Sequence, residues 1–145
     1  MQTEMKENDA LNFNRAKILI VDDDPELRMA LKLRLRANHY ETVSAGDGYS
    51  AIALAQKERP NLIILDLGLP VGNGFNVLKR LQENDALSHI PVIVLTARDP
   101  QSNELRSLDS GATAFLQKPA DNNELLQVIR ASLRSASAWG AAPPS

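Results

Sequence analysis

The sequence predicts an α/β domain built around a parallel β-sheet. From Lys17 onward, short runs of leucine and β-branched residues alternate with amphipathic stretches of about ten to fifteen residues, the pattern of βαβ units. Five such units fit between Lys17 and Arg134. The length of 145 residues agrees with one domain and one core. We expect residues 1–16 to be a flexible N-terminal extension, residues 17–134 the domain, and residues 135–145 a disordered tail rich in Ser, Ala and Pro.

Five apolar runs are predicted to be the strands. The runs are short and rich in branched aliphatic residues, as expected where a parallel sheet is covered on both faces. The clearest is Leu62–Leu65, which leads directly into Asp66. In chain order the predicted strands are Lys17–Val21, Glu41–Ala45, Leu62–Leu65, Pro91–Leu95 and Thr113–Leu116.

The segments between these runs are predicted to be helices, because apolar residues recur in them at helical spacing. The first helix starts at Asp24-Pro25-Glu26, where Asp24 can cap the helix and Pro25 suits its first position. The residues expected to face the core are Leu27, Leu31 and Leu35 in the first helix, Ile52 and Ala55 in the second, Phe75, Leu78 and Leu81 in the third, Leu105 and Leu108 in the fourth (Asp99–Ser110), and Leu125, Leu126, Ile129 and Leu133 in the fifth (Asn122–Arg134).

Composition excludes several classes of function. The chain has no cysteine, which removes disulfides, thiolate metal sites and cysteine nucleophiles. It has 16 Lys and Arg against 18 Asp and Glu, a net charge of -2, and so lacks the basic excess of a domain that grips phosphate backbones. The first residues do not resemble a secretory signal, and no apolar stretch is long enough to span a membrane. We therefore expect a cytoplasmic protein with neither direct nucleic-acid contacts nor a membrane segment.

The predicted strands end in residues that carry chemistry. Asp22 and Asp23 follow the first strand, Asp66 follows the third, Thr96 closes the fourth, and Lys118 follows the fifth. The carboxyl ends of parallel strands meet at one edge of a sheet, so these side chains should lie together. Ionised carboxylates at short range need a shared cation, and oxygen ligands of this number suit Mg²⁺. The set indicates phosphoryl transfer to an aspartate, with the hydroxyl and the ammonium holding phosphoryl oxygens.

Several motifs together resemble the receiver domain of two-component response regulators. They are KILIVDDDPELR from Lys17, LDLGLP from Leu65, NGF from Asn73, VLTA from Val94, and GA at Gly111 with KP at Lys118. The resemblance covers about Lys17 to Arg134. It implies a flavodoxin-like (βα)5 three-layer sandwich, in which a five-stranded parallel sheet has the order 2-1-3-4-5 and helices cover both faces.

The resemblance also implies a role for each residue of the site. Asp66 is the expected phosphoryl acceptor, which would become a 4-aspartylphosphate. The expected ligands of Mg²⁺ are Asp22, Asp23, Asp66 and the backbone carbonyl of Gly68. The expected contacts of the phosphoryl group are Thr96, Ala97 and Lys118, and the expected switch residues are Thr96 and Phe115. The Lys118-Pro119 peptide bond is expected to be cis.

The function that the resemblance implies is that of a phospho-acceptor switch. A sensor histidine kinase or a histidine phosphotransfer protein would donate the phosphoryl group, and a downstream protein would bind the face formed by the fourth helix, fifth strand and fifth helix. The chain would be a signalling switch and not an enzyme, apart from self-phosphorylation and autodephosphorylation at Asp66. Few residues follow the last predicted helix, so a stand-alone, chemotaxis-regulator-like receiver is expected. A receiver cut from a longer protein and a phosphorylation-dependent dimer both stay open.

Three other classes of protein share part of this pattern. A haloacid-dehalogenase-type phosphatase also has an aspartate nucleophile after its first strand, but its Asp-x-Asp-x-Thr/Val motif fails because Pro25 and Glu26 follow Asp24. A flavodoxin binds phosphate in a Ser/Thr/Gly-rich loop where this chain has three acids, which would repel an anion. A degenerate receiver that only binds partners would not need the complete acceptor set.

A basic stripe is predicted on the first helix. Arg28, Lys32 and Arg36 recur at four-residue spacing opposite the leucines, as on a solvated helix face. In receiver domains this helix lies beside the site and often docks the phosphodonor. We hypothesise that the stripe attracts an acidic surface of the kinase.

Overall fold

A computed structural model describes residues 15–69 and 73–141 of the chain. Within these ranges, strands and helices alternate as the apolar periodicity predicts, although the fourth and fifth strands each begin one residue later than expected. The strands are β1 (Lys17–Val21), β2 (Glu41–Ala45), β3 (Leu62–Leu65), β4 (Val92–Thr96) and β5 (Ala114–Gln117). The helices are α1 (Pro25–Ala37), α2 (Gly48–Glu58), α3 (Gly74–Glu83), α4 (Pro100–Asp109) and α5 (Asn122–Ala141).

The five strands form one parallel sheet in the order β2-β1-β3-β4-β5, which confirms the predicted flavodoxin-like (βα)5 architecture. The register of the strands decides which residues meet at the carboxyl edge. Val21 is paired with Leu65, so the next residues, Asp22 and Asp66, leave the sheet side by side. The Asp66 N–H continues this pairing by donating a hydrogen bond of 2.9 Å to the Val21 carbonyl.

The sheet divides the core into two layers. Leu19 and Val21 of β1 pack on the side of α2 and α3, whereas Ile18 and Ile20 pack on the side of α1 and α5. All four side chains are buried, so β1 is covered on both faces, as its apolar run predicts. The core residues predicted for α1, α2, α3 and α5 are confirmed, with Leu27 and Leu133 only partly buried.

Helix α4 departs from the prediction. The expectation that Leu105 and Leu108 face the core is wrong, because their side chains are 69% and 40% exposed. The buried residue of this helix is Ser107, whose hydroxyl donates a hydrogen bond of 2.7 Å to the Asn103 carbonyl one turn earlier. The inward side of α4 is therefore small and polar, because a self-satisfied serine can be buried without an outside partner. Its leucines stay on the surface.

Helix α5 is longer than predicted. It runs for 20 residues to Ala141, so the expectation of a disordered tail is wrong for residues 135–141. The physical reason is composition, since alanine is the strongest helix former and no proline interrupts the sequence before Pro143. Residues 142–145 of the predicted tail, and residues 1–14 of the predicted extension, lie outside the described residues. None of the helices in the described ranges has the length and apolar character to cross a membrane.

Side-chain caps connect the sheet edge to the helices. The Asp24 carboxylate accepts a hydrogen bond of 3.0 Å from the Glu26 N–H, which confirms it as the cap of α1. Asn73 caps α3 in the same way, since its side chain accepts a hydrogen bond of 2.9 Å from the Phe75 N–H. Both caps lie within a few residues of the carboxyl edge, so they restrain the loops that carry the acidic residues.

Candidate functional site

Three carboxylates meet at the carboxyl edge of the sheet. Asp22 and Asp23 follow β1, Asp66 follows β3, and one oxygen from each lies within 4.8 Å of the others. Asp22 and Asp66 are buried, at 3% and 7% exposure, whereas Asp23 is exposed. The site is therefore buried on the sheet side and open to solvent on the side of Asp23. This juxtaposition of strand ends is the one predicted from the sequence.

Lys118 adds a positive charge to the cluster. Its Nζ lies 2.6 Å from Asp22 Oδ2 and 3.5 Å from Asp66 Oδ2. The side chain reaches this position because Gln117 of β5 is paired with Thr96, and the Lys118 N–H donates a hydrogen bond of 2.8 Å to the Thr96 carbonyl. The Lys118-Pro119 peptide bond is cis, as expected. The ammonium is closer to Asp22 than to the expected acceptor Asp66.

Lys118 compensates the buried Asp22 carboxylate only in part. Burial raises the pKa of the Asp22 carboxyl above the usual 3.8, and the hydrogen bond from Lys118 offsets the increase only in part. Burial also opposes the charged form of Lys118, but the hydrogen bond with Asp22 and the charge of Asp66 outweigh it and raise the pKa of Lys118 above 10.5. Lys118 is thus firmly charged, while the acidic cluster can still take up further positive charge.

The local backbone presents the Asp66 carboxylate at the end of β3. Its Oδ1 accepts a hydrogen bond of 3.2 Å from the Gly68 N–H, and Gly68 itself is exposed. Behind Asp66 the first residue of α3 approaches very closely: a Cβ on Gly74 would lie 2.7 Å from the Asp66 carbonyl oxygen and 2.5 Å from Leu67 Cα. Only glycine fits there, so α3 supports the loop after β3 through direct backbone contact.

Among the described residues, the three remaining predicted residues make no side-chain hydrogen bond to the three carboxylates. Thr96 is 1% exposed, and its Oγ1 accepts a hydrogen bond of 3.3 Å from the Arg98 N–H. Among the described residues, no hydrogen bond joins Thr96 to Asp66. Ala97 is exposed beside the edge, and Phe115 is half-buried against the core layer of α2 and α3. Thr96 and Phe115 lie on adjacent strands, β4 and β5, two register positions apart, since Phe115 is paired with Val94 and Thr96 with Gln117.

Arg28 contacts the site, although the sequence predicts it to lie on a solvated face of α1. The expectation that it belongs to a solvated stripe is wrong, because it is half-buried and its Nη1 donates a hydrogen bond of 2.6 Å to the Asp22 carbonyl. Periodicity placed Arg28 in a polar stripe of α1. It could not show that a long side chain would turn back toward the sheet edge. Lys32 is half-buried and Arg36 is exposed.

The donor set fits a hard divalent cation. Asp22, Asp23 and Asp66 offer carboxylate oxygens, and the exposed position of Gly68 next to Asp66 leaves room for a backbone carbonyl and water. Mg²⁺ prefers oxygen ligands, is bound through few carboxylates and keeps several of its waters. The raised pKa of Asp22 agrees with this reading, since a cation would supply the compensation that burial removes.

Known proteins share this fold and much of this sequence. A family model described as the response regulator receiver domain matches residues 18–130. The response regulator PleD of Caulobacter vibrioides is 38% identical over 119 residues, which cover 82% of this chain and 26% of PleD. The DNA-binding dual master transcriptional regulator RpaA of Synechocystis is 41% identical over 118 residues, which cover 81% of this chain and 49% of RpaA.

Solved structures of other proteins share the fold of this chain. A CheY-like response regulator receiver domain protein from Methanospirillum hungatei superposes with a TM-score of 0.80 at 28% identity, covering 86% of this chain and 98% of the other. The chemotaxis protein CheY4 of Vibrio cholerae gives a TM-score of 0.77 at 32% identity, covering 81% of this chain and 98% of CheY4. The chain therefore belongs to the response regulator receiver domain family of two-component systems.

The chain spans less than half of the length of PleD and of RpaA. What those longer proteins do as wholes, including the DNA binding named for RpaA, belongs to them. The absence of direct nucleic-acid contacts in this chain stays a prediction from its charge balance.

Proposed function

We propose that this chain is a phospho-acceptor switch of the cytoplasm, with its receiver domain at residues 17–134. A sensor histidine kinase or a histidine phosphotransfer protein donates a phosphoryl group to Asp66 in a Mg²⁺-dependent reaction. The observation that carries the proposal is that three carboxylates and Lys118 meet at one edge of the sheet. Lys118 Nζ lies 3.5 Å from Asp66 Oδ2. The family of the chain supports the same reaction class.

In the proposed reaction an Asp66 carboxylate oxygen attacks the phosphorus of a phosphohistidine. The new bond is the O–P bond of an aspartyl phosphate, and the bond that breaks is the P–N bond to the donor imidazole, which leaves with the electron pair. Lys118, the Thr96 hydroxyl and the Ala97 N–H bind the phosphoryl oxygens and offset their charge. Asp22, Asp23, Asp66 and the Gly68 carbonyl would hold Mg²⁺, which when bound neutralises charge on the transferred group.

Thr96 and Phe115 are the proposed switch. The Thr96 hydroxyl accepts a single backbone hydrogen bond, from the Arg98 N–H, among the described residues, so it can turn toward a phosphoryl oxygen at modest cost. Phe115 is only half-buried and can repack against the space that Thr96 leaves. The switch would then change the relative populations of two conformations of the surface formed by α4, β5 and α5. The exposed Leu105 and Leu108 of α4 provide apolar contact area for a downstream protein on that surface.

The donor would dock beside the site on α1. Met29 and Leu33 are 52% and 62% exposed one turn apart, and Lys32 and Arg36 lie next to them on the helix. An apolar pair flanked by cations suits a partner surface that combines apolar and acidic residues. Changing Lys32 and Arg36 to Glu should slow transfer from the cognate kinase and leave phosphorylation by a small phosphodonor unchanged. Equal slowing of both reactions would contradict the docking role.

The test of the acceptor function is intact-protein mass spectrometry after incubation with a small phosphodonor and Mg²⁺. The wild-type protein should gain the mass of one phosphoryl group, and Asp66→Asn, which keeps the size of the side chain, should gain none. Removal of Mg²⁺ with a chelator should also abolish the gain in the wild-type protein. A wild-type protein that stays unmodified in the presence of Mg²⁺ would overturn the proposal.

A further inference from the structure

The guanidinium of Arg28 reaches from α1 to the end of β1. Its Nη1 donates a hydrogen bond of 2.6 Å to the Asp22 carbonyl oxygen. Among the described residues, no carboxylate oxygen lies within 4.0 Å of the guanidinium, although three aspartates follow β1 in sequence. Arg28 is therefore bound to the backbone of the acidic loop and not to its charges.

This hydrogen bond completes the restraint of Asp22. The Asp22 N–H donates to the Ala45 carbonyl at 3.1 Å, Oδ1 accepts from the Asp24 N–H at 2.9 Å, and Oδ2 accepts from Lys118 Nζ at 2.6 Å. Arg28 holds the one remaining polar atom, the carbonyl oxygen. Because a peptide unit is planar, fixing that carbonyl also fixes the Asp23 nitrogen and the direction in which Asp23 leaves the strand.

Gly46, the residue after β2, provides the space that the guanidinium occupies. A Cβ at this position would lie 3.1 Å from Arg28 Nη1, which is closer than an ordinary van der Waals contact. The backbone does not require glycine there, because Gly111 is the glycine with positive φ within the described ranges. Gly46 is thus matched to the side chain of Arg28, an observation independent of the hydrogen bond.

We propose that Arg28 is a positioning residue for the metal-binding carboxylates: it locks the Asp22-Asp23 peptide so that both side chains face the cation together with Asp66. The proposal rests on the Mg²⁺ site of the proposed function. It predicts that removal of Arg28 lowers the affinity for Mg²⁺, whereas the loss of a positive charge would on its own raise that affinity. Removing a nearby positive charge should by itself strengthen the binding of a cation, whereas loss of the lock should weaken it.

The experiment measures Mg²⁺ affinity of the full chain by titration calorimetry, without any phosphodonor. Arg28→Met keeps most of the side-chain volume but removes the donor and the charge, and we expect it to bind Mg²⁺ about tenfold more weakly. Arg28→Lys retains a donor and should recover part of the affinity. Arg34→Met, which removes the same charge from the same helix, should bind Mg²⁺ as tightly as the wild type or slightly more tightly.

A second variant keeps the proposal testable if Arg28→Met does not fold. Gly46→Val retains Arg28 but places a Cβ 3.1 Å from its Nη1, and the added methyl groups crowd the guanidinium further, so we expect it also to weaken Mg²⁺ binding. Affinity equal to or above wild type in the folded variants would overturn the positioning role while the Mg²⁺ site stands. A wild-type protein that binds no Mg²⁺ would overturn the site and the positioning role together.

Discussion

At the scale of single residues, the site is a balance of buried charges. Lys118 Nζ lies 2.6 Å from Asp22 and 3.5 Å from Asp66, so one ammonium faces two buried carboxylates. Burial raises the pKa of Asp22 even in the presence of this ion pair. A cation that enters the cluster must therefore compete with Lys118 for Asp22. The same displacement would leave Lys118 free to bind a phosphoryl oxygen.

Replacing Lys118 with Met should separate these two roles. Mg²⁺ should bind at least about threefold more tightly, because the carboxylates lose their competing counter-charge in a site of low effective dielectric. Phosphorylation by a small phosphodonor should nevertheless become slower, because the ammonium that offsets charge on the transferred group is gone. Titration calorimetry and intact-protein mass spectrometry measure the two effects. Unchanged or weaker Mg²⁺ binding in Lys118→Met would contradict the competition, and Lys118→Arg is the charge-conserving control.

At the scale of elements, α3 supports the loop of Asp66, the proposed acceptor, through a contact between backbones. Gly74→Ala would place a Cβ 2.5 Å from Leu67 Cα and 2.7 Å from the Asp66 carbonyl oxygen, and neither atom can move without shifting the acceptor loop. We expect the free energy of unfolding to fall by about 1–3 kcal/mol and phosphorylation to slow. Urea unfolding and the phosphorylation rate measure these changes. The control is Asn76→Ala, at an exposed position of the same helix, which should change the free energy of unfolding by less than about 0.5 kcal/mol. A change as small as this in Gly74→Ala would contradict the close backbone contact.

The cap of α2 makes a pH-dependent contribution to stability. Asp47 accepts a hydrogen bond of 2.8 Å from the Ser50 N–H, which lowers the pKa of its carboxyl below 3.8. Since the folded-state pKa is depressed, the contribution is present above pH 3.8 and is lost as the pH falls through the folded pKa. Asp47→Asn keeps a capping oxygen without the titration. The stability difference between wild type and Asp47→Asn, from urea unfolding, should shrink as the pH is lowered, and a pH-independent difference would exclude this linkage.

At the scale of the whole molecule, the sequence predicts the features that follow from the repeated alternation of strand and helix patterns. The alternation of apolar runs and amphipathic stretches predicted the layers, and the strand ends predicted that Asp22, Asp23, Asp66 and Lys118 would meet. The strand order came from the resemblance to receiver domains, because periodicity does not specify which strands are neighbours.

The wrong predictions concern features that periodicity does not encode. Leu105 and Leu108 have helical spacing, but the buried residue of α4 is the self-satisfied Ser107. Helix α5 continues to Ala141 because alanine has a high helix propensity, and no apolar stripe in this segment predicts the continuation. The turn of Arg28 toward Asp22 depends on the path of one long side chain and on the space above Gly46. The burial of Ser107 and the path of Arg28 depend on packing in three dimensions, whereas the extension of α5 depends on a local propensity that apolar periodicity does not measure.

The exposed face of α4 has a consequence for the molecule as a signalling component. Leu105 and Leu108 contribute little to the core, so Leu105→Gln should change stability by less than about 0.5 kcal/mol. Leu126→Ala, on the buried face of α5, should cost about 2–5 kcal/mol. Thermal or urea unfolding of the two variants measures the contrast. A large loss of stability in Leu105→Gln would show that this face belongs to the core and is not free for a partner.

The proposed phosphoryl acceptor is Asp66, and the position of the phosphoryl group in the chain can be located by peptide mass spectrometry. After treatment with a small phosphodonor and Mg²⁺, reduction with borohydride converts an aspartyl phosphate to homoserine, which peptide mass spectrometry can place in the sequence. We expect homoserine at position 66 in the wild-type protein, and only when Mg²⁺ is present. Modification at Asp22 or Asp23, or no modified residue at all, would contradict this expectation.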